Sequence, residues 1–272
     1  MSGVLYLIAT PIGNLEDMTI RGIRLLREVD VIACEDTRHT QRLLDHFEIT
    51  TPSVSYHEHN ETSRANQLVE RLLGGQSVAV VSDAGTPLIS DPGYRVVQAA
   101  LEAGVTIVPL PGASAVLTAL AGSGLATDAF CYAGFLPPRQ GQRRKVLEQW
   151  GAVEATLVFY EAPHRILECL DDIEAVLGDR SIVVARELTK LHEEFLRGRV
   201  SEVKATLAQR AVQKGEITLL ISREKAATGL VVPAKEAVRR LISTGVDRMD
   251  AIKRVAKERG LAKREVYDEL ER

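Results

Sequence analysis

The run Val80-Val81-Ser82-Asp83-Ala84-Gly85-Thr86-Pro87-Leu88-Ile89-Ser90-Asp91-Pro92-Gly93 carries the strongest chemical signal in the chain. An apolar segment ends in a Gly/Pro-rich loop that holds two acids and opens a helical pattern. Ligands of open α/β sheets bind at the carboxyl ends of strands, beside loops of this kind. Gly85 lets backbone approach a ligand closely, and Asp83 can accept hydrogen bonds from an amine or a ribose. Asp91 has a simpler reading, as the cap of a helix whose first residue is Pro92. Two more loops share this character: Pro109-Leu110-Pro111-Gly112-Ala113-Ser114-Ala115 and Ala9-Thr10-Pro11-Ile12-Gly13-Asn14-Leu15. Small side chains there suit a ligand lying against backbone and equally suit tight packing. Three such loops say more than one.

Ionisable groups gather in three other places, each after an apolar run: Glu35-Asp36-Thr37-Arg38-His39, Glu161-Ala162-Pro163-His164-Arg165 and Arg186 to Glu194. Loops on a rigid scaffold concentrate binding and catalytic side chains. As a set they describe a polar substrate cleft, although any one member fits a surface ion pair. Other chemistries lack their signatures. Gly122-Ser123-Gly124 has no third glycine, and no phosphate-binding P-loop or Gly-x-Ser-x-Gly nucleophile elbow occurs. His57-Glu58-His59 would set two imidazoles on one strand face, but no third metal ligand is evident. Cys34, Cys131 and Cys169 are far apart, so neither a disulfide framework nor a zinc site is indicated.

The elements that must position these loops follow from hydrophobic periodicity. Unbroken apolar runs at 4–9, 31–34, 54–56, 78–81 and 107–110 read as strands buried on both faces of a parallel sheet. Helical stretches at 20–29, 41–47, 63–73 and 94–103 alternate with them, which defines an α/β domain over residues 1–120. Strands at 130–135, 156–160, 182–186, 195–200 and 217–221, with helices at 142–150, 165–177 and 202–213, predict a second α/β domain with a mixed sheet over 121–228. Residues 229–272 read as a C-terminal helical extension.

The chain has 272 residues, 45% hydrophobic, with 34 Lys+Arg against 37 Asp+Glu. This composition fits a globular protein and excludes a disordered one. No apolar stretch is long enough for a membrane span, and the N-terminus lacks the pattern of a signal peptide; a cytoplasmic location is expected. The net charge of −3 hides an asymmetry. Residues 229–272 carry 11 Lys+Arg against 8 Asp+Glu, a net +3, and residues 1–228 carry 23 against 29, a net −6.

ATPIGNLEDMT, EDTRHT, VSDAGTPLISDPG, PGASA, FYEAPHR and ARELTKLHEEF, in this order, resemble the small-subunit (16S) rRNA cytidine 2′-O-methyltransferases. These form part of the tetrapyrrole-methylase-like, class III S-adenosylmethionine-dependent fold. The resemblance spans roughly residues 4–222 and implies two α/β domains with S-adenosyl-L-methionine in the cleft between them. It also implies a homodimer that needs no metal and acts on small-subunit rRNA or the 30S subunit. Carried onto this sequence, the cofactor pocket uses Pro11, Asp83, Gly85, Leu88, Ala113 and Ser114, with Tyr160, Arg186, Gly215 and Thr218 from the second domain.

Methyl transfer to a ribose hydroxyl leaves several catalytic candidates open: Glu35, Asp36, His57, Glu161 and Glu187 as a base, and Lys190 or Arg38 to lower the hydroxyl pKa or bind phosphate. Arg139, Arg143, Arg144 and Lys145 form a basic cluster suited to phosphate. Lys253, Lys257, Lys263 and Arg264 lie in a tail whose turn at Gly260 resembles half of a helix-turn-helix. Two rivals remain open. A related class III methyltransferase acting on a tetrapyrrole or a protein would share the cofactor loops without the basic tail. A non-catalytic RNA-binding regulator would keep the tail but not need the loops.

Overall fold

The computed structural model describes residues 2–57, 59–223, 234–243, 246–259 and 263–271. The first half alternates β1 (Val4–Ile8), α1 (Ile20–Glu28), β2 (Val31–Cys34), α2 (Thr37–His46), β3 (Ser53–Ser55), α3 (Glu61–Leu73), β4 (Val78–Val81), α4 (Tyr94–Glu102) and β5 (Thr106–Pro109). Its sheet is wholly parallel, in the order β3-β2-β4-β1-β5. Every residue of β2 and β4 is buried, as expected when helices cover both faces. One face packs on Leu68, Leu72, Val96 and Ala100, and the other on Leu25, Leu26 and Leu44.

The second half contains α5 (Ala115–Ser123), β6 (Phe130–Phe135), α6 (Gln140–Gly151), β7 (Thr156–Glu161), α7 (Ile166–Leu177), β8 (Ser181–Arg186), β9 (Glu194–Arg199), α8 (Val200–Ala208) and β10 (Ile217–Ile221). Its sheet runs β6-β7-β10-β8-β9. Only β6 and β7 are parallel, so this is the mixed sheet that the succession of strands predicts. Helix α5 is absent from the sequence reading. It packs Val116, Ala119 and Leu120 against Val158, Val183 and Leu220 of the second sheet. A boundary at residue 120 therefore cuts through a helix that belongs with the second half. In the tail, α9 (Ala234–Ser243), α10 (Arg248–Arg259) and α11 (Lys263–Glu271) enclose a small core of their own around Val238, Ile252, Val255 and Val266.

Two local expectations are corrected. Asp91 does not cap α4: that position is Gly93, at φ 141°, and the helix begins at Tyr94. A Cβ on Gly93 would lie 2.7 Å from Leu88 Cδ1, so the chain turns there only with glycine. Arg143, expected at an RNA surface, is 1% exposed. Its Nε donates to Asp172 Oδ2 at 2.7 Å, and Arg144 Nε donates to Asp172 Oδ1 at 2.7 Å. Burial opposes ionisation of Asp172, yet these bonds hold its carboxyl below the ordinary range. The basic cluster thus includes an internal ion pair that locks α6 to α7.

Candidate active site

Strands β1, β4 and β5 lie side by side, so the three small-residue loops leave the sheet together. They are knitted by short-range bonds. Thr10 and Gly85 exchange backbone hydrogen bonds at 2.9 and 3.0 Å, and Thr10 Oγ1 donates to the Ser82 carbonyl at 3.0 Å. Ser82 Oγ donates to the Gly85 carbonyl at 2.7 Å, and Thr86 Oγ1 reaches the Ala113 carbonyl at 3.1 Å. Facing them are the end of β7 and the start of β10, where Tyr160 pairs with Thr218 and Glu161 with Ile217.

Between these two walls lies a cavity of about 380 Å3. It is lined by Asp83, Gly85, Ser114, Tyr160, Gly215 and Thr218 of the sequence-derived cofactor set, and by Glu161 of the catalytic set. Other members of those sets stand apart. Leu88 is turned onto Gly93, and Ala113 contributes its carbonyl to the loop bonds. Arg186 is committed to Glu194 at 3.1 Å and to the Lys214 carbonyl. Pro11 and Lys190 line an adjoining cavity of about 330 Å3, which shares Asp83 and Glu216 with the first. Glu187 holds Lys190 at 2.9 Å and accepts from the Glu216 N–H at 3.0 Å. That N–H, followed by the Lys190 ammonium, keeps its carboxyl below the ordinary range.

Glu35, Asp36, Arg38 and His57 line a separate shallow depression. Asp36 caps α2, and its carboxylate takes the Arg38 guanidinium at 2.9 Å. Hydrogen bonds from Arg38 hold it down at about 2. His57 and His59 follow β3 rather than sharing a strand face, and no group of three metal ligands occurs among the described residues. Arg139 and Lys145 are exposed, as are Lys253, Lys263 and Arg264 of the tail. The side chain of Lys257 and the turn at Gly260 lie outside the described residues.

Asp91 is the site residue that the capping reading hid. Its carboxyl faces the larger cavity, and it is pushed up to about 6 by burial, then by the neighbouring Glu35 and Asp83 carboxylates. Four acidic residues line this cavity, Asp83, Asp91, Glu161 and Glu216, and no Lys, Arg or His does, although the Glu161 side chain is itself fully buried. Glu161 is offset by Arg165 and Glu216 by Lys190; for Asp83 and Asp91 no cationic partner occurs among the described residues. The aromatic wall is neutral: Ser90 Oγ and Tyr132 Oη lie 2.6 Å apart, and burial raises the Tyr132 and Tyr160 hydroxyls. Backbone strain concentrates here as well. Of five non-glycine residues at positive φ among the described residues, Leu88, Ser90, Glu187 and Thr189 lie on the two facing loops. Each costs about 1–3 kcal/mol, which persists where the surroundings over-determine the loop.

Residues 4–204 match the family model of the tetrapyrrole (corrin/porphyrin) methylases. The chain belongs to that family. It is 48% identical to a Halalkalibacterium halodurans protein named ribosomal RNA small subunit methyltransferase I, over 98% of this chain and 94% of that one. The Bacillus subtilis protein of the same name is 46% identical over 98% and 93%. Within the tetrapyrrole methylases, the chain therefore belongs with the small-subunit rRNA methyltransferases I. Among solved structures, a diphthine synthase superposes with a TM-score of 0.63 at 16% identity, covering 81% of this chain and 90% of the other. A Thermus thermophilus uroporphyrin-III C-methyltransferase complexed with S-adenosyl homocysteine gives 0.56 at 20%, covering 80% and 97%. These likenesses establish the shared two-sheet fold.

Proposed function

We propose that this protein methylates the ribose 2′-oxygen of a cytidine in 16S rRNA, with S-adenosyl-L-methionine as donor. The cavity lined by the acidic Asp83, Asp91 and Glu216 and by no cation carries the cofactor part of this reading. S-adenosylmethionine has a sulfonium, an ammonium and one carboxylate, hence a net positive charge, which suits walls where Asp83 and Asp91 lack cationic partners. A nucleoside triphosphate would be repelled by the same walls. The volume also falls within the about 300–1,000 Å3 of small-molecule sites. Asp91, Tyr160, Thr218 and Ser114 would hold the cofactor. The substrate part rests on similarity to relatives named for small-subunit rRNA and on the exposed Lys253, Lys263 and Arg264 of the tail. We further propose a cytoplasmic homodimer, consistent with the exposed Leu117, Tyr94 and Leu191 side chains.

When bound, the cofactor supplies an electrophilic methyl group. The chain's own contribution is orientation, worth up to about 7–11 kcal/mol when reactants are held in line. The loop bonds among Thr10, Ser82, Gly85, Thr86 and Ala113 make that wall rigid. Removing the ribose proton adds about 10²–10⁴-fold. Asp83, on the boundary of both cavities, is the acceptor this geometry supplies, whereas Asp91 lies within the larger cavity and faces the donor's positive charge.

The test is transfer of labelled methyl to purified small subunits, naked rRNA, a porphyrin and a peptide substrate, followed by nuclease digestion. Recovery of 2′-O-methylcytidine from the rRNA is the expected result. Label on the porphyrin or the peptide alone would overturn the substrate assignment, and absence of cofactor binding would overturn the enzyme assignment.

A further inference from the structure

The second cavity, of about 330 Å3, shares Ile12, Asp83, Ala84 and Glu216 with the first, and it carries what the first lacks. His39 and Arg42 line it from α2, three residues apart and so on one helix face. Lys190 enters from the other half of the molecule. Both α2 side chains are exposed, and no ion-pair partner for Arg42 occurs among the described residues. Lys190 is fixed by Glu187 at 2.9 Å and Glu216 at 3.2 Å. Burial opposes its charge, but those carboxylates outweigh it and keep the ammonium above its ordinary value. The wall is shaped for this lysine: a Cβ on Gly13 would sit 2.4 Å from Lys190 Cγ.

We propose that this chamber receives a single nucleotide extruded from its RNA strand, with the phosphates flanking it met by Arg42, His39 and Lys190. The proposal rests on the rRNA ribose-methylation reading and adds where the substrate enters. The chamber is near the lower limit of small-ligand sites, which suits one nucleotide and excludes a paired helix. Enzymes that modify a base take it out of the stack; here it is the narrow chamber that asks the same of a ribose whose 2′-oxygen must reach the wall at Asp83. The charge pattern sorts the two reactants. Asp83 and Glu216 line both cavities, but the chamber adds Arg42 and Lys190 whereas the first cavity has no cation, so a polyanion is drawn to the chamber side. The shared wall at Asp83 is then where the ribose meets the larger cavity.

Steady-state methylation of purified small subunits, with parallel calorimetry of S-adenosylmethionine binding, tests this with Arg42→Ala and Leu15→Trp. Leu15 lines the chamber and is 40% exposed, so the larger side chain can be accommodated without disturbing the core. Arg42→Ala should raise KM for the subunit about tenfold, the size of one charged contact. It should also lower the slope of log(kcat/KM) against log salt by about one, which a purely structural role would not do. Leu15→Trp should reduce kcat/KM more than about tenfold by filling the chamber. Cofactor affinity should stay within about twofold in both. If the wild-type protein methylates the subunit and both variants match it in KM and salt slope, the chamber is overturned and the enzyme reading stands. A parallel loss of cofactor affinity would also overturn it, by assigning these residues to the first cavity. If the wild-type protein transfers no methyl to small-subunit RNA, the reading falls and takes this proposal with it.

Discussion

Replacing Asp91 by asparagine keeps the shape of the side chain and removes its charge, and it should make the free protein more stable while making it a poorer cofactor binder. The Asp91 carboxyl stands at about 6 in the fold, against about 3.9 for an aspartate in an unfolded chain. The folded state therefore binds the proton more tightly than the unfolded state. The contribution of Asp91 to stability is greatest below about pH 4 and declines as pH rises through about 6, where the carboxylate ionises beside Glu35 and Asp83. At about 1.4 kcal/mol per factor of ten, the cost above pH 6 would approach roughly 3 kcal/mol for a fully buried group. Asp91 is only half-buried, and solvent screening reduces this to about 1–2 kcal/mol. The Asp91→Asn variant escapes that cost, so its melting temperature at pH 8 should rise by about 2–6 °C, and the two proteins should converge near pH 4. Binding should move the other way. A charged hydrogen bond contributes about 1.5–3 kcal/mol, so calorimetry at pH 8 should show S-adenosylmethionine affinity falling by about ten- to a hundredfold. Wild-type affinity should weaken as pH drops below about 6, and the variant's should be flat across that interval. Equal melting temperatures at pH 8, or unchanged affinity with the wild-type pH profile, would refute the assignment of Asp91 to a cation.

Three further outcomes follow from other parts of the structure. Asp172→Ala strands the buried Arg143 guanidinium, and breaking a buried pair in this way costs about 3–5 kcal/mol; chemical denaturation should register that loss. Gly85→Ala forces a Cβ onto a residue at φ 86°, 3.2 Å from Ile12 Cγ2. It should cost about 1–2 kcal/mol and loosen the loop at the cofactor wall, read as weaker cofactor binding with KM for RNA little changed. Removing residues 229–272 should weaken binding of small-subunit RNA and spare cofactor binding, since the tail helices have their own core. Equal loss of both in a filter-binding and calorimetry comparison would make the tail a folding element.

Strands are the most legible part of the sequence because burial on both faces leaves an unbroken apolar run. The runs at 31–34, 78–81, 130–135 and 217–221 coincide with β2, β4, β6 and β10 to the residue. Helix α5 is illegible for the converse reason. It is apolar on nearly all sides, wedged against the second sheet, and so shows no polar face to set a period. Its entry, Pro111-Gly112-Ala113-Ser114, also has the composition of a turn, although Ser114 caps it. The first turn of α2 reads as loop because Thr37, Arg38 and His39 are polar, which hides the helix face that His39 shares with Arg42. Asp91 carries a helix-start signature in Asp-Pro-Gly, and only the positive φ of Gly93 delays the helix past it. Arg143 does leave a trace: it stands four residues before the buried Leu147, on the same face of α6. The charge of the larger cavity is only half legible, because Asp83 and Asp91 share one loop whereas Glu161 and Glu216 come from two other, distant stretches of chain.

That separation explains how a body with net charge −6 over residues 1–228 can serve an RNA substrate. Long-range attraction depends on local potential rather than on net charge, and with a Debye length of about 8 Å at physiological salt the total is hardly felt at any one site. What acts on the RNA is the near field: Arg42, His39 and Lys190 at one chamber, and Arg139, Lys145 and the tail cations elsewhere on the surface. The acidity has its own use one wall away, where it favours a cationic donor over the abundant nucleotides that resemble it in shape but carry phosphates. On this account, adding positive charge to the larger cavity should do more harm than removing negative charge. Ser114→Lys should abolish cofactor binding beyond the loss in Asp91→Asn and gain affinity for adenosine nucleotides, measured side by side by calorimetry. If Ser114→Lys instead binds S-adenosylmethionine as the wild type does, selection by charge is not how this cavity chooses its ligand.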